Sequence, residues 1–355
     1  MATWDYTYIN VNGQSVKAQA PIIVSASRST DIPAFYADWF FHRLRVGYSA
    51  WINPFNGVKS FVSYEKTRFI VFWSKNPHPL LRHLDELKQM GIECYIQYTL
   101  NDYVAEGLEK NVPNVDFRIE TFKKLVEKLG KGRVIWRFDP LILTDKVSSD
   151  DLLHKIEYIG DRLYGYTEKL VFSFADISAY RKVKKNLENN NINYQEFTSE
   201  QQIDFAARLV KLNKKWNYQL ATCGEKGRFA GIEPNHCVDD KLIIRFGYRS
   251  KEILDFLHAE IVNPNAQALS LFDDTVQSIP EDAIPLENGY YAIIKKSNKD
   301  SGQREFCGCM KSKDIGQYNT CPHLCEYCYA NSTKAAAIAN YECYKHNPFG
   351  ETIIG

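Results

Sequence analysis

Cys321, Cys325 and Cys328 stand at spacing C-x3-C-x2-C within Cys321-Pro-His-Leu-Cys-Glu-Tyr-Cys-Tyr-Ala-Asn331. Soft thiolates at such spacing select iron-sulfur clusters or zinc. Three cysteines fall one short of the four ligands that close a structural metal site. A four-iron cluster held by this loop would therefore keep one iron open to substrate or cofactor. A zinc ion held here needs a fourth ligand, and His323 is the nearest candidate. Squeezed between two ligands on a tight loop, His323 is poorly placed to turn inward.

Four more cysteines form a second candidate set: Cys223, Cys237, Cys307 and Cys309. Cys307-Gly-Cys309 is a compact two-ligand clip, and four thiolates close a site, so an auxiliary four-iron cluster or a structural zinc would fit. The alternative is that Cys223 and Cys237 are ordinary buried thiols. Cys94, within an apolar run, and Cys343, in an alanine-rich tail, are expected in the core.

Six short apolar, β-rich runs can position these groups, and each is followed by a loop and an amphipathic stretch, the pattern of repeated βα units on a parallel sheet. They cover residues 21–27, 69–75, 94–100, 133–139, 169–176 and 219–225. Leucines at helical spacing predict helices over 80–90 and 118–129, each stopped by a glycine. Thr198 with Gln201 reads as a capping box for a helix reaching about Trp216. Further helices are expected over 253–271 and 333–344, and a strand over 289–295, while 296–304 reads as loop. Polar residues gather at the C-terminal ends of the six runs: Ser25, Ser27, Ser74, Lys75, Gln97, Thr99, Arg137, Asp139, Ser173, Asp176, Cys223 and Glu225. In a parallel barrel that end is the active-site face. Strand ends are also polar simply because the chain leaves the core there, but Lys75, Arg137 and Asp139 follow directly on long apolar runs.

The chain has 355 residues, 45% of them hydrophobic and 14% aromatic, enough for a large packed core and unlike a disordered chain. Lys plus Arg (44) nearly equals Asp plus Glu (43), so no global field draws it to nucleic acid or an anionic membrane. Met-Ala-Thr-Trp-Asp-Tyr at the start has neither a basic nor an apolar leader segment, and no run is long and apolar enough to span a membrane. A cytoplasmic location is expected. In that reducing setting nine cysteines, five of them between 307 and 328, read as metal ligands rather than disulfides.

The cysteine loop, with an aromatic residue before its last cysteine, resembles the cluster loop of radical S-adenosylmethionine (SAM) enzymes, most of all their spore photoproduct lyase-like branch. The chain also resembles an uncharacterised bacterial family marked by Ser25-Ala-Ser-Arg-Ser-Thr-Asp-Ile-Pro-Ala-Phe35, Phe72-Trp-Ser-Lys-Asn-Pro77, Trp136-Arg-Phe-Asp-Pro140 and the cysteine loop. Its middle is similar to the lyase-like enzymes at Thr30-Asp-Ile-Pro33, Ser74-Lys75, Gln97-Tyr-Thr99 followed by Leu108-Glu-Lys-Asn-Val-Pro113 and Arg118, and Arg137-Phe-Asp-Pro140. The resemblance implies an α/β protein with a partial or complete TIM-type (β/α) barrel. In those enzymes the cluster loop opens the barrel, whereas here it lies at 321–328 of 355 residues. The implied barrel is therefore circularly permuted, with residues around 307–330 supplying its first strand and loop. On this reading 1–19 is an N-terminal extension, 20–225 the βα-repeat core, 226–304 a connecting region with auxiliary metal ligands, and 305–355 the segment that completes the barrel.

The resemblance further implies a 4Fe-4S cluster on Cys321, Cys325 and Cys328 that binds SAM, reduction by a donor such as flavodoxin or ferredoxin, and a 5'-deoxyadenosyl radical that abstracts hydrogen from a substrate. It places Lys75, and Thr99 or Ser27, on the carboxylate and ribose of SAM, and Tyr329 beside its adenine. Nucleic acid enters as a substrate by analogy alone. Two readings of other classes stay open: a non-catalytic iron-sulfur protein that transfers electrons or senses redox state, and a zinc-stapled binding protein.

Overall fold

The structure, a computed structural model, describes residues 4–53, 56–264, 279–303 and 306–355. The six apolar runs become the strands β1 (Ile23–Ala26), β2 (Phe69–Ser74), β3 (Glu93–Thr99), β4 (Val134–Leu141), β5 (Lys169–Phe174) and β6 (Gln219–Thr222), joined by β7 (Glu233–Pro234) and β8 (Lys313–Asp314). All eight lie in one sheet in the order β7-β6-β5-β4-β3-β2-β1-β8, and every neighbouring pair is parallel. The ladder does not close into a barrel among the described residues.

Successive side chains on a strand point to opposite faces, so each face collects every second residue. One face carries Val24, Ile70, Phe72, Ile96, Tyr98, Val134, Trp136 and Phe172 and packs on crossover helices through Ile119, Phe122, Ile156, Ile159, Phe205 and Leu209. The other begins as apolar with Ile23, Val71, Tyr95, Ile135, Val171 and Ala221 and is covered by Val238, Ile243, Ile244, Phe246 and Ile253. Two residues further along, that second face turns polar: Ser25, Gln97, Arg137, Ser173 and Cys223. Most of the polar strand ends thus share one face as well as one end, while Ser74 falls on the opposite face with Ile70 and Phe72.

Helix signals in the sequence hold where capping chemistry supports them. Thr198 and Gln201 form a reciprocal capping box at the start of helix Ser199–Asn213. Asn114 caps helix Val115–Leu129, which Gly130 ends at φ 95°. The stretch expected as one helix over 80–90 is a 3-10 turn, His78–His83, followed by helix Leu84–Gln89.

Elsewhere the expectations need correction. The helix expected over 253–271 is Lys251–Phe256, after which His258 takes a left-handed backbone (φ 52°) and Ala259–Val262 pairs antiparallel with the strand Tyr291–Ile294. The remainder of that expectation, 265–271, lies outside the described residues, as does Arg304 at the end of the expected loop. Ahead of β1, Tyr6–Val11 and Gln14–Gln19 form a hairpin in a four-stranded sheet with Tyr48–Ile52 and Lys59–Ser63. The region 226–304 supplies the helix Asp240–Gly247 that fills the second face of the main sheet. No helix is long and apolar enough to cross a membrane among the described residues.

Candidate metal and cofactor site

β8 brings the cysteine loop to the sheet. Lys313 and Asp314 pair in parallel with Val24 and Ser25, and Ile315 N donates to Ser25 O at 3.2 Å, so the chain that leaves β8 enters the loop at the C-terminal end of β1. Gly316 is needed at this crossing, since a Cβ there would sit 1.8 Å from Ser27 Oγ. Gly316→Ala should therefore cost about 1–3 kcal/mol through overpacking. A thermal melt checks this, and an unchanged midpoint would show that the crossing has slack.

Asp31 anchors the loop on the other side. Its carboxylate accepts from Ala34 N (3.0 Å) as the N-cap of Ile32–Phe35, from Ser74 Oγ (2.6 Å) and from Lys75 N (2.7 Å), and it pairs with His323 Nε2 at 2.8 Å. His323 Nδ1 faces Asn111 O at 3.1 Å, so both ring nitrogens are engaged away from the cysteines. The segment after β3 then fastens the loop backbone. Asn111 Nδ2 donates to Pro322 O (2.9 Å), and Glu326 N donates to Leu108 O (3.0 Å). Leu324, with φ 55°, turns the chain between the first two cysteines.

Lys75 reaches this loop. Its ammonium donates to Glu109 Oε1 (2.7 Å), to Tyr327 Oη (2.8 Å) and, more weakly, to Asn101 Oδ1 (3.4 Å). Tyr327, between Cys325 and Cys328, also hydrogen bonds Glu109 and accepts from Asn101 Nδ2 at 3.1 Å. Glu109 is fully buried, with Arg118 Nη2 at 3.8 Å from its second oxygen. Burial works to raise the Glu109 carboxyl, but the Lys75 and Arg118 charges outweigh it and hold it below the ordinary carboxylate range. Arg118 also donates to the carbonyls of Thr99 (3.5 Å) and Asn101, which ties the end of β3 to the same network.

The other residues expected at the site fare differently. Tyr329 is 45% exposed, its hydroxyl donates to Arg28 O at 2.6 Å, and the Tyr180 ring lies 6.0 Å from its own. Thr99 is half-buried at the end of β3. Ser27 is buried, with Ser29 N donating to its hydroxyl at 3.0 Å and Gly316 packed over it. Burial raises the thiols of Cys321, Cys325 and Cys328 above the ordinary range. Buried side-chain atoms without a hydrogen-bond partner around the loop include Arg28 Nη2, Thr30 Oγ1, Asn76 Oδ1, Glu109 Oε2, Arg118 Nε, Glu326 Oε2 and Asn331 Oδ1.

Members of the second cysteine set meet in pairs. Cys223 Sγ lies 3.2 Å from Cys237 Sγ, and Cys237 N donates to Cys309 Sγ at 3.2 Å. Arg137 Nη1 donates to Cys237 Sγ at 3.2 Å and its other nitrogen pairs with Asp139, so the two strand-end charges form an ion pair beside this set. Within the set Cys307 is pulled down to about 6, chiefly by its hydrogen bond with Cys309. Cys94 is buried as expected, but Cys343 is exposed, because it lies on the outer side of helix Lys334–His346, whose buried residues are Ala337 and Tyr344.

Asp31, Asn101 and Glu109 were given no role from sequence. Asp31 had a local signal, an N-cap before Ile-Pro at the start of a short helix. Glu109 lies in the Leu108–Pro113 stretch that carries the resemblance, but its contact with Tyr327, like that of Asn101, spans more than 200 residues of chain.

No curated protein and no solved structure matches the chain. A family model described as a domain of unknown function, DUF1848, matches residues 23–330, a span that runs from β1 to just beyond the third cysteine of the loop. The matched segment contains Asp31, Lys75, Glu109, both cysteine sets and every strand of the main sheet, and the chain belongs to the DUF1848 family.

Proposed function

We propose that this protein is a radical SAM-type enzyme with a 4Fe-4S cluster on Cys321, Cys325 and Cys328, built on a circularly permuted partial (β/α) barrel. The observation that carries this reading is the 2.8 Å hydrogen bond from Lys75 Nζ to Tyr327 Oη. It brings a strand-end cation to the middle of a loop with one ligand too few, at the C-terminal edge of a parallel sheet, the end at which such folds hold cofactors. The strand order supports the permutation: read from β8, the sheet runs β8, β1, β2, β3, β4, β5, β6, β7, each strand beside the next in that series.

The surroundings fit the cofactor. Asn76 Oδ1 and Asn331 Oδ1 are buried acceptors without a partner, of the kind that an amino group such as that of SAM would satisfy. Lys75 would offer the carboxylate its third donor by releasing the 3.4 Å contact to Asn101. Thr99, half-buried, suits a ribose contact better than Ser27, whose hydroxyl is already used. The exposed ring of Tyr329 suits stacking on adenine. Once reduced by a flavodoxin- or ferredoxin-like donor, the cluster with SAM would supply a 5'-deoxyadenosyl radical to a substrate of undefined class, in the cytoplasm.

Anaerobic reconstitution with iron and sulfide, followed by dithionite and SAM, tests this. The expected result is a four-iron absorption and EPR signature together with 5'-deoxyadenosine by chromatography. A colourless protein, or a four-iron spectrum with no cleavage across candidate substrates, would overturn it, the second outcome favouring an electron-transfer or sensing role.

A further inference from the structure

The parallel ladder leaves two free edges, β7 and β8, and the chain beside each meets the other over the polar face. Met310 N, just ahead of β8, donates to Val238 O, just after β7, at 3.0 Å. At this seam Cys237 N and Val238 N donate to Cys309 Sγ at 3.2 and 3.5 Å. Cys223 directly follows β6 and lies 3.2 Å from Cys237, while Cys307 is the other arm of the clip. Cys237 and Cys309 are buried, Cys223 and Cys307 half-buried.

We propose that Cys223, Cys237, Cys307 and Cys309 hold a single zinc ion that staples the two edge regions of the sheet together. Four thiolates satisfy tetrahedral zinc and leave no open position, in contrast to the Cys321 loop. Four sulfurs around one ion at about 2.3 Å stand about 3.8 Å apart. No three of these four sulfurs lie within 4.8 Å of one another, so the ion would draw Cys307 and Cys309 inward, whereas Cys223 and Cys237, 3.2 Å apart, already stand closer than two ligands of one ion. A four-iron cluster, with each sulfur on a separate iron, needs them spread wider. The groups that contact Cys237 and Cys309 Sγ from elsewhere in the protein are N–H donors: Arg137 Nη1 (3.2 Å), Asn235 Nδ2 (3.3 Å) and the two amides. Such donors suit the net negative charge of a tetrathiolate zinc centre and orient its ligands.

This inference does not rest on the cluster reading, and elemental analysis with zinc-edge X-ray absorption on the full chain, purified without added metal, separates the two. The expected result is about one zinc per chain in an all-sulfur shell. The triple variant Cys321→Ala/Cys325→Ala/Cys328→Ala should retain it, and Cys237→Ser or Cys309→Ser should lower it at least ten-fold. Should the single variants fail to fold, cobalt substitution in the wild-type chain gives the second reading, a tetrahedral all-thiolate spectrum. Wild-type protein without zinc, a Cys223–Cys237 disulfide in peptide maps, zinc lost from the triple variant alone, or a four-iron signal persisting in that variant would each overturn the staple.

Discussion

Cys325→Ala is expected to abolish reductive cleavage of SAM, with a loss beyond the 10–100-fold that removing an outer-shell partner of a metal costs. The loop has three thiols, and two cannot hold a four-iron cluster with one iron left for cofactor. Cys325 is the central one, 7% exposed, followed by Glu326, whose amide bonds Leu108 O, and Tyr327, whose hydroxyl takes the Lys75 hydrogen bond. The loop backbone is held by Asn111 and Leu108, and its His323 side chain by Asp31, rather than by the thiols, so the variant should fold. The measurement is 5'-deoxyadenosine formed per chain beside the EPR signal of the reconstituted protein. Cleavage at the wild-type rate would refute the ligand assignment.

Lys75→Met should lower the unfolding free energy by about 3–5 kcal/mol, the usual cost of removing one partner from a buried ion pair. Glu109 is fully buried and Lys75 only 16% exposed, so little solvent can replace the lost ammonium. Arg118, 3.8 Å from the other carboxylate oxygen, sets the effect toward the lower end. Urea unfolding measures it, and a loss below about 1 kcal/mol would mean that Arg118 alone neutralises Glu109. Acid supplies a second readout. The folded-state value of Glu109 lies below its unfolded value of about 4.3, so its contribution is complete above that pH and is lost as pH falls through the folded value. Glu109→Gln should flatten that part of the stability profile.

The strands were legible because β-branched and aromatic runs such as Phe69–Ser74 are buried on both faces and need no partner to declare themselves. The helix Ser199–Asn213 was legible from two residues, Thr198 and Gln201, since capping is local chemistry. The hairpin Tyr6–Gln19 was not, because its residues are mostly exposed and carry no apolar stripe. Both cysteine sets could be grouped from spacing and element position, and Lys75 from its resemblance to a cofactor contact. The Lys75–Glu109–Tyr327 network could not be read, since Tyr327 comes 218 residues after Glu109 and only the folded sheet brings them together.

The register that pairs Lys313 with Val24 sets a timetable for synthesis. About 290 residues separate those partners, and at roughly 5–20 residues per second a ribosome needs about 15–60 seconds to deliver the second after the first. Throughout that interval β1 presents an unpaired parallel edge, the kind of surface that recruits foreign strands. A chain stalled or terminated in that interval keeps this edge open, and the Cys321 loop can take its place at the end of β1 only late in synthesis.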